Sequence, residues 1–397
     1  MDFLKVIEKL NNLDCDKIAQ FYYAKTVDNI AKLVSNVAPC AKLAVFTMQN
    51  SAKKCVEITD AMKKFQLKPI TVVLEDGDLS TESVAGLFNI AEDVRGVVVT
   101  DYQLFDLASY FATVRNIPLV NLVYEFYPKR LLSNRVYIKN FGKLDAFGIS
   151  VKRHVVFVEK KALSEFELSN AYAYVVSKMV SLIDYRIRCI LEHQEIDKKA
   201  YLIAREAIVS ALVLTLNDKI ASEKLLIYCM MLEVADNMTE GKLLTLSAPS
   251  IAQYLTSGSF CADSGIELLA QCVLLELYDK CFSIDFSKAT LSPDYLDRAE
   301  VLSRLTCFNE KEILKGLQRQ VSTFNCKGKK ISGLKQLLKE EIANTAKLSL
   351  KIMNRYFELG GKSDYDTADI AMAVKLSGDT PLSINGMSLV RESAITE

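Results

Sequence analysis

The sequence predicts two fold classes in series: an α/β half with a Rossmann-like parallel sheet over residues 1–159, then an all-helical half over 160–397. Three observations carry this. A chain of 397 residues exceeds what one compact core holds. Between residues 42 and 158, short β-branched runs alternate with segments of helical period. After residue 159 nearly every long segment has the helical period alone.

In the first half, strands are expected at 43–47, 70–74, 97–100, 119–123 and 153–159, with helices at 51–65 and 81–91 between them. The stretch 95–123, RGVVVTDYQLFDLASYFATVRNIPLVNLV, is the most informative. Its apolar run 97–100 suits a buried parallel strand. Leu104, Leu107, Ala108, Phe111 and Val114 then recur at helical spacing, and Asn116-Ile117-Pro118 ends that helix before the next strand. Ligands of such sheets sit beyond the carboxyl ends of the strands, here the turns after Thr47, Leu74 and Thr100. In the second half, helices are expected at 170–193, 198–217, 222–237, 264–281, 310–324, 331–359 and 364–376. The first is apolar on most of its circumference and should run buried and unbroken. The segment from Ser377 onward reads as irregular surface chain.

Composition narrows the function. Lys+Arg and Asp+Glu number 49 each, so no net field draws the chain to nucleic acid or to an acidic membrane. No apolar run reaches spanning length, and the start MDFLKVIEKLNN is an amphipathic helix rather than a signal peptide. A cytoplasmic protein is expected, with no nucleic-acid or membrane partner. The ten cysteines form no C-x-x-C pair and read as reduced core thiols. Of the two histidines, His154 reads as a hydrogen-bonded residue on a strand edge and His193 as a partner for a helix carboxyl terminus. Asp184 and Arg188, four apart, read as a helix ion pair.

LAVFTMQN (43–50), TDYQLFDLASY (100–110), NIPLVNLV (116–123), SKMVSLIDYRI (177–187) and VKLSGDTPLSINGMSLVRES (374–393) follow one another in an order that resembles a known superfamily. It contains glycerol-1-phosphate dehydrogenase, the iron-containing alcohol and glycerol dehydrogenases and dehydroquinate synthase, and the glycerol-1-phosphate branch is the most similar. The resemblance covers about 340 residues and implies a dehydroquinate synthase-like fold. It also implies NAD(P)-linked hydride transfer from a polyol, aided by a divalent metal that polarises the alcohol oxygen. Asp106 and Tyr110 keep the register of the family's Gly-Gly-Gly-Thr-x-x-Asp-x-x-Lys-Tyr stretch, and Lys178, Asp184 and Tyr185 match a helix motif of the second half.

The departures fall on the chemistry. The three glycines become Thr100, Asp101 and Tyr102, side chains where a backbone should approach a pyrophosphate. Asp101 reads as a helix cap that also takes the anion's place. Tyr174 stands at the metal-binding Asp, Tyr254 closes the segment that should bear the first ligand His, and no His aligns with the second. Candidate cofactor contacts are thus Thr100, Asp101, Tyr102 and Asp106. Lys129, Arg130 and Arg135, in the loop after a strand end, are candidate anion binders. Lys178, Tyr174 and Tyr254 remain as acid–base candidates. NAD(P) stays open as a cofactor, and no divalent metal is expected. The expected function is a catalytically impaired homologue acting by binding a small anionic or polyol ligand, or by assembly as a homo-oligomer. An active NAD(P)-dependent oxidoreductase with a rebuilt site, and an enzyme of another class using the same cleft, remain as alternatives.

Overall fold

The computed structural model describes residues 3–12, 19–75, 79–127, 131–140, 143–159, 164–191, 194–215, 222–244, 248–255, 264–281, 300, 303, 309–315, 347–370, 383–384 and 387–388. The chain forms two compact units. The first holds Met1–Val175, Lys199–Gly241 and Leu359–Gly361, and the second holds Val176–Lys198, Lys242–Glu358 and Lys362–Glu397.

The first unit is built on a six-stranded parallel sheet. Its strands are β1 (Ala19–Ala24), β2 (Lys42–Met48), β3 (Lys68–Leu74), β4 (Gly96–Val99), β5 (Leu119–Val123) and β8 (Arg153–Val158), in the order β1-β8-β5-β4-β2-β3. The chain runs outward from β2 to edge strand β3 and then returns to β4 on the other side of β2. The β2/β4 boundary is therefore the switch point at which open α/β sheets bind ligands. On one face, α2 (Val27–Val37) and α3 (Ala52–Lys64) bury Ile30, Val34, Ile58 and Met62 against Val45, Val98, Val120 and Val156. On the other, α5 (Phe105–Arg115) sets Phe111 5.7 Å from Phe46.

Both sheet edges are blunted. The Asn11 amide of α1 (Phe3–Asn11) donates to the Phe21 carbonyl and accepts from the Phe21 N–H, both at 3.1 Å, and so stands in for a strand beside β1. On β3, Lys68 N–H bonds inward to Ala41, so Pro69 turns its missing donor outward.

Five of the sheet strands and their helices lie within a few residues of the sequence reading. That reading has no counterpart for β1, for α2, or for the antiparallel hairpin β6–β7 (Arg135–Asn140 with Lys143–Gly148). The expected edge position of His154 is corrected too, because β1 covers β8 and makes it an interior strand. The unit also contains α4 (Thr81–Leu87), α6 (Glu165–Val176), α8 (Lys198–Thr215) and α9 (Ser222–Met238).

The helix expected over 170–193 is two helices, α6 and α7 (Lys178–Leu191), interrupted at Ser177, whose hydroxyl turns to the Glu267 carboxylate at 3.3 Å. In the second unit, α11 (Ser264–Cys281) packs against α7, α10 (Ala248–Leu255) and α12 (Ser349–Glu358). The expected helix at 310–324 lies largely outside the described residues, as do parts of 331–359 and 364–376 and most of the chain after 370. Within the segment read as irregular, Ser383–Ile384 pairs antiparallel with Met387–Ser388. No helix among the described residues is long and apolar enough to cross a membrane.

Gly265 opens α11 where a side chain has no room. A Cβ there would meet the hydroxyl of fully buried Tyr356 and lie 3.0 Å from the Lys362 carbonyl oxygen. A helical Gly→Ala exchange ordinarily stabilises by about 1 kcal/mol. Gly265→Ala is expected to do the opposite, lowering stability by about 1–3 kcal/mol through overpacking, as read from urea denaturation midpoints.

Candidate functional site

A cavity of about 120 Å³ opens at the β2/β4 switch point, lined in part by Met48, Asn50, Ser51, Thr100, Asp101, Tyr102, Tyr124 and Glu125. The three residues at the expected glycine positions all line it, but not as a phosphate cradle. Asp101 follows β4, and its carboxylate reaches across to the end of β2 and the start of α3. Its Oδ1 accepts from Ser51 Oγ at 2.6 Å, and its Oδ2 accepts from Met48 N–H at 3.0 Å, Thr100 Oγ at 2.7 Å and Thr47 Oγ at 3.2 Å. The expected helix cap is therefore corrected: Asp101 makes no side-chain bond to the turn that follows it and instead ties β4 to β2. The sequence reading did not foresee Ser51 and Thr47 in this role; a carboxylate after one strand with hydroxyls after its neighbour was the available signal.

The next side chains cover the turn. The Tyr102 ring stacks on Tyr127 with centroids 4.9 Å apart and planes 13° from parallel. Glu167 of α6 holds the Tyr127 segment in place: one carboxylate oxygen accepts from Phe126 N–H at 2.8 Å, and the other closes a capping box with Ser164 at 2.7 and 2.8 Å. Burial pushes the half-buried Tyr124 phenol well up, so it stays protonated near neutral pH.

The remaining candidates go elsewhere. Asp106 is buried near Arg153, a fully enclosed guanidinium that donates to the Ser133 carbonyl. Burial lowers the Arg153 pKa to about 10, and the negative charges of Asp106 and Glu233 oppose that shift. Tyr174 belongs to the same buried group, with its hydroxyl donating to Glu233; burial and then the Glu233 charge raise its pKa well above the ordinary phenol value. Lys178 lies in the second unit, buried against Glu267 at 2.6 Å. Removing either partner would leave an uncompensated buried charge, at a cost of about 3–5 kcal/mol. Arg135, expected in a loop, is the exposed first residue of β6. Lys129, Arg130, His193 and the side chain of Tyr254 lie outside the described residues.

The cofactors that the resemblance implies do not fit these groups. A pyrophosphate at the switch point needs the donors that Asp101 already engages, and its charge would face that carboxylate. A divalent ion at the Tyr174 position would meet a protonated phenol bonded to Glu233. Among the described residues, no three His, Cys, Asp or Glu side chains are placed to hold a metal ion.

Solved structures share this architecture. An iron-containing alcohol dehydrogenase from Corynebacterium glutamicum superposes with a TM-score of 0.56 at 11% identity, covering 96% of this chain and 94% of that one. The chain has the fold of the iron-containing alcohol dehydrogenases. A probable glycerol dehydrogenase from Sinorhizobium meliloti (TM-score 0.54, 11% identity, 95% of both chains) shares it. So does the NADH-dependent butanol dehydrogenase A of Thermotoga maritima (TM-score 0.51, 14% identity, 90% of this chain and 96% of that one). No family model matches the sequence, and no curated protein is similar to it at the sequence level.

Two expectations follow. With its carboxylate removed, Asp101→Gly frees three hydroxyls and an N–H for an external anion. Millimolar sulfate should raise the variant's melting midpoint by about 2 °C or more over chloride of equal ionic strength, and leave the unsubstituted protein unchanged. His154, half-buried with Nδ1 3.3 Å from the Tyr22 hydroxyl, is held below its ordinary pKa of 6.5 by burial and then by Lys152. The folded chain therefore takes up this proton less readily than the unfolded one. Stability should be full above about pH 6.5 and fall as the pH drops below it. In His154→Asn, denaturation midpoints between pH 5 and 7 should show a shallower decline.

Proposed function

We propose that this protein is a non-catalytic relative of the glycerol-1-phosphate dehydrogenases, keeping their fold to bind a small ligand or to assemble. The observation that carries the reading is the Asp101 carboxylate, which engages four donors where a dinucleotide's pyrophosphate would need them. The Tyr102–Tyr127 stack over the same turn supports it. So does the cavity, whose 120 Å³ falls short of the roughly 300–1,000 Å³ of small-molecule sites. Its charged lining residues, Asp101 and Glu125, are both negative among those described. With the neighbouring hydroxyl, amide and tyrosine groups, they favour a small polyol over an anion.

Thermal unfolding with millimolar NAD, NADP, zinc, nickel or glycerol tests the proposal, alongside an assay of NAD reduction with glycerol 1-phosphate. Neither dinucleotide nor either metal is expected to move the midpoint, and no reduction is expected, because a ligand of the native state must stabilise it by mass action. A dinucleotide-dependent shift accompanied by turnover would establish an active oxidoreductase with a rebuilt site instead.

A further inference from the structure

Asn121 lies on β5, an inner strand of the parallel sheet, and is fully buried. Neither its amide nitrogen nor its amide oxygen has a hydrogen-bond partner in the protein. Native cores seldom leave both ends of an amide unmet. The sheet register shows why no side chain meets them. Val120 and Leu122 point into the core formed with α2 and α3, so Asn121 points to the opposite face. There its register partners are Val99 on β4 and Val155 on β8, and Leu119 and Val123 flank it along its own strand. All four are apolar. Phe46, the register partner of Val99, carries Phe111 of α5 on the same face. The polar side chain next along that face is Arg153. It pairs with Leu119 in register and so stands diagonal to Asn121, at about 8 Å between Cα atoms. Its guanidinium donates to the Ser133 carbonyl through Nη2, while its Nε is buried and has no partner.

We infer that an internal water molecule binds between the Asn121 amide and the Arg153 Nε–H. The argument is the inventory of unmet groups, which comprises N–H donors on both residues and one carbonyl acceptor on Asn121. An anion would satisfy the donors, leave the acceptor unmet and face the buried charges of Asp106 and Glu233 that act on Arg153. A cation would satisfy the acceptor alone and meet the guanidinium charge. Water accepts and donates in one small group, and buried waters ordinarily serve otherwise unsatisfied polar atoms in this way. The site is distinct from the cleft at the switch point: Leu122 lines that cavity, and its neighbour Asn121 points the other way. The inference therefore stands whether or not the cleft binds a ligand. It also extends the buried group around Arg153 to an inner strand of the sheet.

A high-resolution crystal structure of the unsubstituted protein tests it. A water oxygen is expected within about 2.7–3.2 Å of an Asn121 amide atom and of Arg153 Nε. In solution, water-oxygen magnetic relaxation dispersion of Asn121→Leu, with circular dichroism confirming its fold, should show about one fewer long-lived internal water than the unsubstituted protein. Should that variant fail to fold, the crystal structure decides alone. A structure in which the amide and Nε are dry, or bond directly to protein groups, would overturn the inference. An unchanged dispersion amplitude in folded Asn121→Leu would do so too.

Discussion

A carboxylate set at the end of an inner strand needs donors, and Asp101 finds them on the neighbouring strand rather than on its own helix. Hydrogen bonds to a charged acceptor contribute about 1.5–3 kcal/mol each, more than neutral ones. This tie joins β4, β2 and the start of α3 at the point where the sheet topology divides. In a fold of this kind the same point is open backbone, kept free of side chains so that a phosphate can approach. Here the protein carries its own anion. That one exchange sets the rest of the cleft: the hydroxyls of Thr47, Ser51 and Thr100 turn inward, and the stacked tyrosines close over the turn.

A second polar group has a different character. Arg153, Asp106, Glu233 and Tyr174 are buried, and burial is the largest cause of the shifts at Arg153 and Tyr174. Enclosed charges such as these hold a structure together only as a set, because removing one leaves another unpaired. The Lys178–Glu267 pair does the same within the second unit. Three candidates for chemistry, Asp106, Tyr174 and Lys178, lie within these buried polar groups.

Much of the fold was legible in the sequence because it rests on local signals. The runs at 43–47, 97–100 and 119–123 are β-branched and flanked by turn residues, and the helices between them keep a clear period. What escaped depended on long-range pairing. β1, AQFYYA, has little apolar contrast and becomes a strand because β8 lies beside it, 134 residues away by the pairing of Ala19 with Arg153. The break at Ser177 was hidden because both flanking segments share one helical pattern, and the hydroxyl that turns away finds its partner 90 residues on. At the site, the absence of glycine from positions 100–102 could be read directly. The direction in which the Asp101 side chain points could not, since local rules favoured a cap and tertiary contacts prevailed.

The most direct test of this account is a crystal structure of the protein grown or soaked with millimolar NADH. The account predicts a turn without nucleotide, with the Asp101 carboxylate within hydrogen-bond distance of Ser51 Oγ and the Met48 N–H. A pyrophosphate bound over the Met48 N–H, with Asp101 swung away from β2, would contradict it.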